Sequence, residues 1–564
     1  MSPKPESRGA AKPRPVLRWP GWGLFLLLFA LQALPPIFEN SPTADEPGDL
    51  TGGYFYWRGD VVSDFAHPPL AKTLQALPLR WMDLRDRLDP WVGDYLARTY
   101  DFFFQLNRGH FEAMLWAGRL VSLLFGLGLG ALLFFASRKA PPLERLAVMA
   151  LFAFEPTLLA FSGLAVSDLP LAFFCLAAVL AFQRHLEKPG APWALGAGLL
   201  AAMAATCKFS GLALLPIFAV LEFLAKPPKP AKPRRWKKDW AWGALAFFAW
   251  IFVLYLPGSL GLSPFALPWF YFLGGLMDMV GQTQAFHATY FFGVAGHQNH
   301  GLYYPAAFLL KSTLPFLILL GLSLGLAARR KLSFDDWVWI PALFFFAAIL
   351  PVQNLGVRYL LPAMPFLILL AARSAGWLWA LKTRQAPRAG KFILGGLLVW
   401  GAATALLNNG NLLSYFNDLV PAQKKIYFLS DSNLDWGQDE KRLAQTAARR
   451  GWTHIKAAQL GGADLSLYGL KVQGWTKRDF YGPQSGWVYV VNVGFLQLGP
   501  VFYPDLQPLA ISWMSTLPPT GRVGDTWLYW EIPGTPPLDR SDPEPSLLTA
   551  GARYQALLQG PPGP

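Results

Sequence analysis

Two adjacent carboxylates, Asp45 and Glu46, lie in the stretch TADEPG, directly after the first long apolar run of the chain. A carboxylate near a membrane surface can act as a general base that takes a proton from a hydroxyl group. Acidic residues are also common in solvated turns. The pair alone therefore does not distinguish an active site from a polar turn, and the residues elsewhere in the chain have to decide.

Further ionisable and polar residues recur beside other apolar runs. They are His67 and Lys72 in SDFAHPPLAK, Asp168 in AVSDLPL, Lys208 in ATCKFSG, His287, His300 and Lys311 in residues 287–311, and Arg358 with Tyr359 in VRYLLP. Ionisable residues at membrane depth are energetically costly and mark functional sites by default. Helix capping and snorkelling of long side chains explain any one of them equally well. As a group they can hold a phosphate through the cations and an acceptor hydroxyl through a carboxylate.

The composition indicates the class of protein that must position these residues. Of 564 residues, 53% are hydrophobic and 15% are charged, whereas soluble domains carry about 25% charge. The chain has 24 Trp, a residue enriched at membrane interfaces. Cys175 and Cys207 lie in or beside apolar segments, so we expect neither a disulfide framework nor a cysteine metal site. The sequence predicts a mostly α, polytopic membrane protein.

Eleven apolar runs have roughly the length needed to cross a bilayer. They are residues 21–38, 113–136, 143–160, 164–183, 191–206, 210–225, 240–256, 305–328, 337–351, 358–380 and 392–408. We place residues 1–20 as a basic cytoplasmic N-terminus and let each apolar run cross the membrane in turn. The segments on the cytoplasmic side then hold a large excess of Lys and Arg over Asp and Glu. The first outer loop, 39–112, is acidic instead. This distribution follows the positive-inside rule and removes the support for nucleic acid as a partner.

The predicted organisation has three parts. A secretory signal competes for the N-terminus, but the run is long and lacks a clear cleavage site, so we expect a retained first helix. The transmembrane domain covers residues 21–408, and its first outer loop carries helices that lie on the membrane surface. Residues 409–564 form an extracytoplasmic α/β domain, with strands predicted in KIYFLS, HIKAAQL, GWVYVVNVGFLQL and TWLYWEI and a helix in DEKRLAQTAARR. We expect a protein integral to the cytoplasmic membrane.

The stretch DSNLDWGQD, residues 431–439, has acids at spacings that resemble a calcium loop. Its glycine and its twelfth position do not match that pattern, so we do not expect an EF-hand. A capped turn before a helix explains most of the stretch. Asp431 and Asp435 remain candidates for an acceptor or ligand site.

The pair DE followed by HPPLAK resembles the lipid-linked-sugar-dependent glycosyltransferases of glycosyltransferase family thirty-nine. This family includes the dolichyl-phosphate-mannose protein mannosyltransferases and, more distantly, the aminoarabinose transferases that act on lipid A. The supporting segments are FEPTLLAFSGLAVSDLPLAFF, ATCKFSGLALLP, GLYYPAAFLLKSTLP, VRYLLPAMPFL and NLLSYFNDL with YFLSDSNLDWGQD. The resemblance covers most of residues 20–440.

The resemblance implies a GT-C-type helical bundle and inverting transfer of a sugar from a polyprenyl phosphate. Asp45 would then be the general base, and Glu46 would orient the acceptor or the base. The family pattern makes Lys208 and Arg358 the first candidates to bind the lipid phosphate, followed by His67 and Lys311. Lys72, Tyr359 and Asp168 would contact the phosphate or sugar, with Asp168 orienting one of the basic groups or part of the sugar. His287 and His300 would belong to an acceptor or ligand site.

One departure from the family pattern and two alternative functions limit what carries over. Outer segment 257–304 is too short for the β-trefoil domain of eukaryotic members, so the identity of the acceptor does not carry over from the family. Mannose stays a candidate for the sugar. The acceptor is a hydroxyl of a protein, lipid or envelope glycan. The first alternative is en-bloc oligosaccharide transfer from a lipid diphosphate with a divalent cation. The second is a transporter or non-catalytic envelope scaffold, although transporters usually show repeats and midplane sites.

Overall fold

The structure is a computed structural model that describes residues 20–59, 67–86, 95–225, 236–262, 268–284, 287–381, 388–502 and 512–535. The predicted cytoplasmic N-terminus lies outside these residues except for Pro20. The end of the predicted C-terminal domain, from residue 536, lies outside them as well.

The apolar runs form a helical bundle, and each predicted span is matched by a helix or by two consecutive helices. From the amino end the helices, including those of the first outer loop, are α1 (Pro20–Glu39), α2 (Glu46–Tyr56), α3 (Pro69–Gln75), α4 (Tyr95–Tyr100), α5 (Phe111–Ala136), α6 (Pro142–Ala153), α7 (Pro156–Ser162), α8 (Asp168–Glu187), α9 (Ala191–Cys207), α10 (Leu214–Leu224), α11 (Trp236–Leu262), α12 (Pro268–Gln284), α13 (Tyr303–Lys311), α14 (Leu314–Ala328), α15 (Asp336–Ile349), α16 (Met364–Ala380) and α17 (Ala389–Leu407). Within the described residues, 5 helices are long and apolar enough to cross a membrane, or up to 7 spans if each bent pair counts as one. This agrees with a polytopic membrane protein, but it does not confirm the predicted number of eleven.

Two of the predicted spans are broken rather than continuous. Helices α6 and α7 meet at 53°, and α13 and α14 meet at 118°. Pro156 and Pro315 lie in the first turn of the second helix of each pair. Proline has no amide hydrogen with which to continue the preceding helix, so it starts a new one at this position. The sharper break turns the chain at Thr313, whose backbone is extended.

The first outer loop folds into short helices that pack on the bundle. A 3₁₀ turn, Leu77–Trp81, follows α3, and a π-helical turn, Asp101–Leu106, follows α4. Leu50, Tyr54 and Phe103 form a separate buried cluster with other apolar side chains of the loop and of α5. The loop is therefore fixed against the bundle by its own core, which holds the start of α2 in place.

The part of the chain after α12 begins with a short hairpin and returns to the bundle. Strands β1 (Thr289–Phe291) and β2 (Val294–Gly296) pair antiparallel. Phe291 also bridges to Leu429, beyond the last helix of the bundle. Outer segment 257–304 is thus helical in α12 and then forms a hairpin.

The residues after α17 include a five-stranded mixed sheet. Its strands are β3 (Ile455–Ala458), β4 (Gln473–Gly474), β5 (Val488–Asn492), β6 (Gly521–Val523) and β7 (Trp527–Glu531), in the spatial order β4-β3-β5-β7-β6. Strand β3 pairs parallel with β4 and β5, and β7 pairs antiparallel with β5 and β6. Helices α18 (Glu440–Arg450), α19 (Lys477–Tyr481), α20 (Val493–Phe502) and α21 (Ser512–Thr516) accompany the sheet.

Both faces of this sheet are buried. Along β5, Tyr489 and Val491 enter one apolar cluster, whereas Val490 enters the other with Leu443 of α18. This alternation follows from the two-residue period of a strand. The strands predicted in HIKAAQL and TWLYWEI and the helix predicted in DEKRLAQTAARR are present, and GWVYVVNVGFLQL is strand β5 followed by helix α20.

The strand predicted in KIYFLS is wrong. Its first three residues belong to a 3₁₀ turn, Ala422–Tyr427. Leu429 is buried in the bundle core, and Ile426 and Phe428 pack against it. Leu429 is therefore buried and Ile426 and Phe428 are partly buried where a turn packs on the bundle. A strand pattern read locally cannot reveal this contact.

Candidate active site

Asp45 and Arg358 form an ion pair in which an Arg358 nitrogen, Nη1, donates to Asp45 Oδ2 at 2.6 Å. Asp45 is the residue that precedes the first turn of α2, and Arg358 lies in a 3₁₀ turn, Val357–Leu360, before α16. The Asp45 side chain is 45% exposed, whereas the Arg358 side chain is 10% exposed. The carboxylate is therefore reachable from outside, while its cationic partner is largely enclosed.

A second ion pair lies next to the first. Lys208 Nζ donates to Asp168 Oδ1 at 2.7 Å. Asp168 opens α8, and Lys208 follows the last residue of α9. The ring of Tyr359 lies 4.0 Å from Lys208 Nζ and 5.5 Å from the Arg358 guanidinium carbon. Tyr359 thus joins the two pairs, and Asp168 contacts one of the two basic groups.

The environment of Asp45 favours its charged form. Burial opposes ionisation, but the charge and hydrogen bond of Arg358, with smaller contributions from His67 and Lys208, lower the pKa of Asp45 below its ordinary value. A carboxylate that stays ionised can accept a proton at neutral pH. Because its partner is an arginine, the carboxylate is also held in one direction.

Two adjoining cavities meet at these ion pairs. The first, which we call the polar cavity, has a volume of about 760 Å³ and is lined by the two ion pairs together with Asp49, Tyr95, Tyr100, Asp278, Gln282 and other residues. Its walls come from α2, α4, α8 and α12. The cavity presents hydroxyl, amide and carboxylate groups to an occupant, which is the chemistry that binds a polar molecule.

The second, the apolar cavity, has a volume of about 690 Å³ and shares Asp45, Lys208, Arg358 and Tyr359 with the first. Its remaining walls include Phe345, Ile349, Val352, Leu498 and Phe502. A lipid chain is the kind of occupant that such walls accommodate. The two ion pairs therefore stand between a polar and an apolar compartment.

Several other predicted residues are brought to this junction. His67 and His287 line both cavities, and Asp431 and Asp435 line the apolar cavity. Burial raises the pKa of Asp435 to about 7, although the amide groups of Gly494 and Gly437 act in the opposite direction. The junction thus combines one carboxylate held ionised, Asp45, with one that retains its proton to much higher pH.

Three predicted residues lie elsewhere. Lys72 is buried in α3, and Lys311 is buried at the end of α13, where its Nζ donates to the carbonyl oxygens of Leu413 at 2.8 Å and Asn433 at 2.6 Å. His300 packs with Phe291, their ring centroids 5.1 Å apart. None of these three is among the residues that line the two cavities. The structure places Lys311 as an anchor of the backbone rather than at the junction.

Glu46 is fully buried and points away from the cavities. Its carboxylate accepts hydrogen bonds from Arg119 Nε and Nη2, both at 2.7 Å, from the Thr43 amide at 2.9 Å and hydroxyl at 3.0 Å, and from the Ala165 amide at 2.8 Å. A carboxylate with five donors has no capacity left for substrate. Glu46 therefore fixes the chain beside Asp45.

Two residues of the site were not found by sequence reasoning. Arg119 lies inside the apolar run of α5, and a charge in such a run is a signal that would have identified it. Trp436 covers the Arg358 guanidinium at 4.4 Å. A tryptophan in a chain with 24 of them carries no such signal, so only the structure reveals it.

The acids of DSNLDWGQD do not converge on one point. Asp435 accepts from the Gly494 amide at 2.7 Å, and Asp439 accepts from Thr526 at 2.9 Å and pairs with Arg442 at 2.5 Å. Among the described residues there is no group of three or more His, Cys, Asp or Glu side chains that could hold a metal ion. The described residues thus show no calcium-type ligand set.

Solved structures share features with the chain at low identity. ArnT from Cupriavidus metallidurans in the apo state is 15% identical, with 90% of this chain and 97% of ArnT covered and a TM-score of 0.49. The oligosaccharyltransferase of Archaeoglobus fulgidus, tethered to an acceptor peptide, is 13% identical over 76% of this chain and 56% of its own, with a TM-score of 0.41.

The comparison with curated proteins finds no match. Residues 49–267 match the family model of dolichyl-phosphate-mannose-protein mannosyltransferase. The matched part begins just after Asp45 and Glu46 and includes Asp168 and Lys208. The family model thus confirms, for residues 49–267, the resemblance predicted from the motifs.

Proposed function

We propose that this protein is an inverting glycosyltransferase of the GT-C type, integral to the cytoplasmic membrane. It moves a sugar, with mannose as the first candidate, from a polyprenyl phosphate to a hydroxyl of a protein, lipid or envelope glycan on the outer face. The observation that carries the proposal is the position of the Asp45–Arg358 pair between the polar and apolar cavities. The family match of residues 49–267 supports the use of a lipid-linked sugar.

In the proposed reaction the acceptor occupies the polar cavity and the lipid chain occupies the apolar one. Asp45 takes the proton from the acceptor hydroxyl as its oxygen attacks the anomeric carbon, and the bond from that carbon to the phosphate oxygen breaks. The leaving phosphate gains negative charge, which Arg358 and Lys208 stabilise. One displacement inverts the anomeric centre, so a second, nucleophilic carboxylate is unnecessary.

A transfer assay tests this proposal directly. The purified protein is incubated with a panel of polyprenyl-phosphate sugars and with peptide, lipid and glycan acceptors, and products are identified by mass spectrometry. We expect one sugar to appear on an acceptor with inverted anomeric configuration. Transfer only from a lipid diphosphate, and only with a divalent cation, would instead support the en-bloc alternative.

Lys208→Met is expected to weaken the binding of undecaprenyl phosphate, the lipid bound by ArnT of Cupriavidus metallidurans in a solved structure. A hydrogen bond to a charged group contributes about 1.5–3 kcal/mol, which corresponds to roughly tenfold or more in affinity. Titration followed by native mass spectrometry measures the dissociation constant. The matched control is Lys391→Met, because Lys391 also lies over an aromatic ring, that of Trp379, away from the cavities. Equal affinity in wild type and Lys208→Met would remove Lys208 from the phosphate site.

A further inference from the structure

The stretch DSNLDWGQD, which we call the 431–439 segment, lies between the two chain segments that supply Asp45 and Arg358. Asp45 and Arg358 are 313 positions apart in the sequence, and their side chains meet only if both backbones are held. The 431–439 segment contacts both backbones, and the reaction proposed above assigns it no role.

On the side of Asp45, the 431–439 segment holds the extended chain that leads into α2. The Ser41 amide donates to the Gln438 carbonyl at 3.0 Å, and the Ala44 amide donates to the Trp436 carbonyl at 2.9 Å. The Gln438 side chain accepts from the Trp436 amide at 2.8 Å and so shapes the turn that presents these carbonyls. The residue directly before Asp45 is thereby fixed.

On the side of Arg358, the contacts come from the other half of the segment. Asn433 Oδ1 accepts from the Val357 amide at 2.9 Å, and Ser432 Oγ donates to the Leu355 carbonyl at 2.8 Å. Between them Gly356 has φ +137°, and a Cβ there would lie 2.0 Å from Ser432 Oγ. The approach is therefore so close that it requires glycine. The ring of Trp436 then covers the guanidinium of Arg358.

The 431–439 segment is itself anchored to the bundle. Asn433 Nδ2 donates to Tyr303 Oη at 2.8 Å and to the Ser430 carbonyl at 2.9 Å. The backbone carbonyl of Asn433 accepts a hydrogen bond from Lys311 Nζ at 2.6 Å. Lys311, predicted from the sequence as a phosphate ligand, thus acts in the structure on the segment that contacts both partners of the ion pair.

From these contacts we infer that the 431–439 segment is a clamp that aligns Asp45 with Arg358, and that Asn433 and Trp436 are positioning residues for the proposed transfer. The inference rests on the proposed function for its effect on catalysis. The alignment of Asp45 with Arg358 does not depend on that function. Loosening one end of the clamp is expected to loosen both residues whether or not the protein transfers a sugar. A misplacement of about 1 Å in an active site can lower the rate about 10²-fold.

Hydrogen–deuterium exchange tests the structural part without any substrate. In Asn433→Ala we expect faster exchange in peptides that cover residues 355–359, which lose the bond to the Val357 amide, and also in those that cover residues 41–46. The matched control is Asn107→Ala, because Asn107 is likewise buried and bonds to the backbone of Arg85 and Phe102. Faster exchange in residues 355–359 alone, or equal effects of both variants on residues 41–46, overturns the clamp. Should Asn433→Ala fail to fold, Trp436→Ala serves in the same comparison, with faster exchange expected at 355–359 and 41–46.

Kinetics test the catalytic part. We expect Asn433→Ala and Trp436→Ala to lower kcat about tenfold or more with little change in KM, and to move the acid limb of kcat/KM to higher pH as Arg358 loses its hold on Asp45. Trp436→Phe keeps an aromatic ring over Arg358 and should retain most activity. An unmoved acid limb, or a loss in Trp436→Phe equal to that in Trp436→Ala, contradicts the positioning role. If wild type transfers no sugar, the proposed function fails, while the exchange measurement still decides the clamp.

Discussion

Replacing Asp45 by Asn is expected to abolish sugar transfer while the protein still folds and inserts. Asn has nearly the shape of Asp but cannot take a proton from the acceptor hydroxyl. A general base contributes typically 10²–10⁴-fold to the rate, and in the described structure Asp45 is the ionised carboxylate held between Arg358 and the polar cavity. The measurement is product formation by mass spectrometry, with folding checked by size-exclusion chromatography in detergent.

The control for this variant is Asp86→Asn. Asp86 also belongs to the first outer loop and also pairs with an arginine, Arg58, at 2.8 Å, but it is not among the residues lining the two cavities. We expect Asp86→Asn to keep most of the wild-type activity. Turnover at the wild-type rate by Asp45→Asn, with a verified substrate, would falsify the assignment of Asp45 as the base.

The pH dependence of the wild type follows from the environment of Asp45. Burial opposes ionisation, yet Arg358 lowers the pKa of Asp45 below its ordinary value, which is about 3.9. The base is then ionised at neutral pH, and kcat/KM should not fall on the acid side until the pH drops below that value. The contribution of the ion pair to stability also falls on the acid side. It is present above the pKa that Asp45 has in the unfolded chain and is lost as the pH falls through the pKa of Asp45 in the folded protein. An acid limb of wild-type kcat/KM near pH 6 would contradict this assignment.

The second large effect is expected on stability, from Arg119→Met. Arg119 and Glu46 are both 0% exposed and form an ion pair at 2.7 Å. Arg119 also donates to the carbonyl oxygens of Ile37 at 2.9 Å and Ser41 at 2.8 Å. Removing the guanidinium leaves a buried carboxylate without its cation, which typically costs about 3–5 kcal/mol. We expect a much lower unfolding temperature in detergent, measured by tryptophan fluorescence.

Two further variants make this test specific. Arg184→Met removes the exposed Arg184–Glu187 pair and is expected to change stability by at most about 1 kcal/mol. The double variant Arg119→Met with Glu46→Leu should regain part of the lost stability, because no uncompensated charge remains buried. If Arg119→Met unfolds at the same temperature as Arg184→Met, the buried pair does not hold the loop beside Asp45.

Most of the bundle could be predicted because apolar length and charge asymmetry act locally along the chain. Each apolar run became a helix or a pair of helices, and the pairs broke where Pro156 and Pro315 begin a new first turn. The stretch KIYFLS was predicted wrongly because Ile426, Phe428 and Leu429 pack on the core of the bundle. A local sequence pattern contains no information about that contact. Within the described residues, helix length and hydropathy also leave the predicted number of spans unconfirmed.

The candidate site, like the fold, could be predicted from the sequence only in part. The sequence by itself selected Asp45, Asp168, Lys208 and Arg358 as candidates, because a charged residue beside an apolar run is costly and stands out. The same rule selected Lys311, which satisfies backbone carbonyls instead. Only the tertiary structure decided which charges face the cavities, that Glu46 supports rather than lines the site, and that residues 431–439 meet both partners of the ion pair. The physical reason is that a charge in an apolar segment needs a partner, and chain folding, not sequence spacing, chooses that partner.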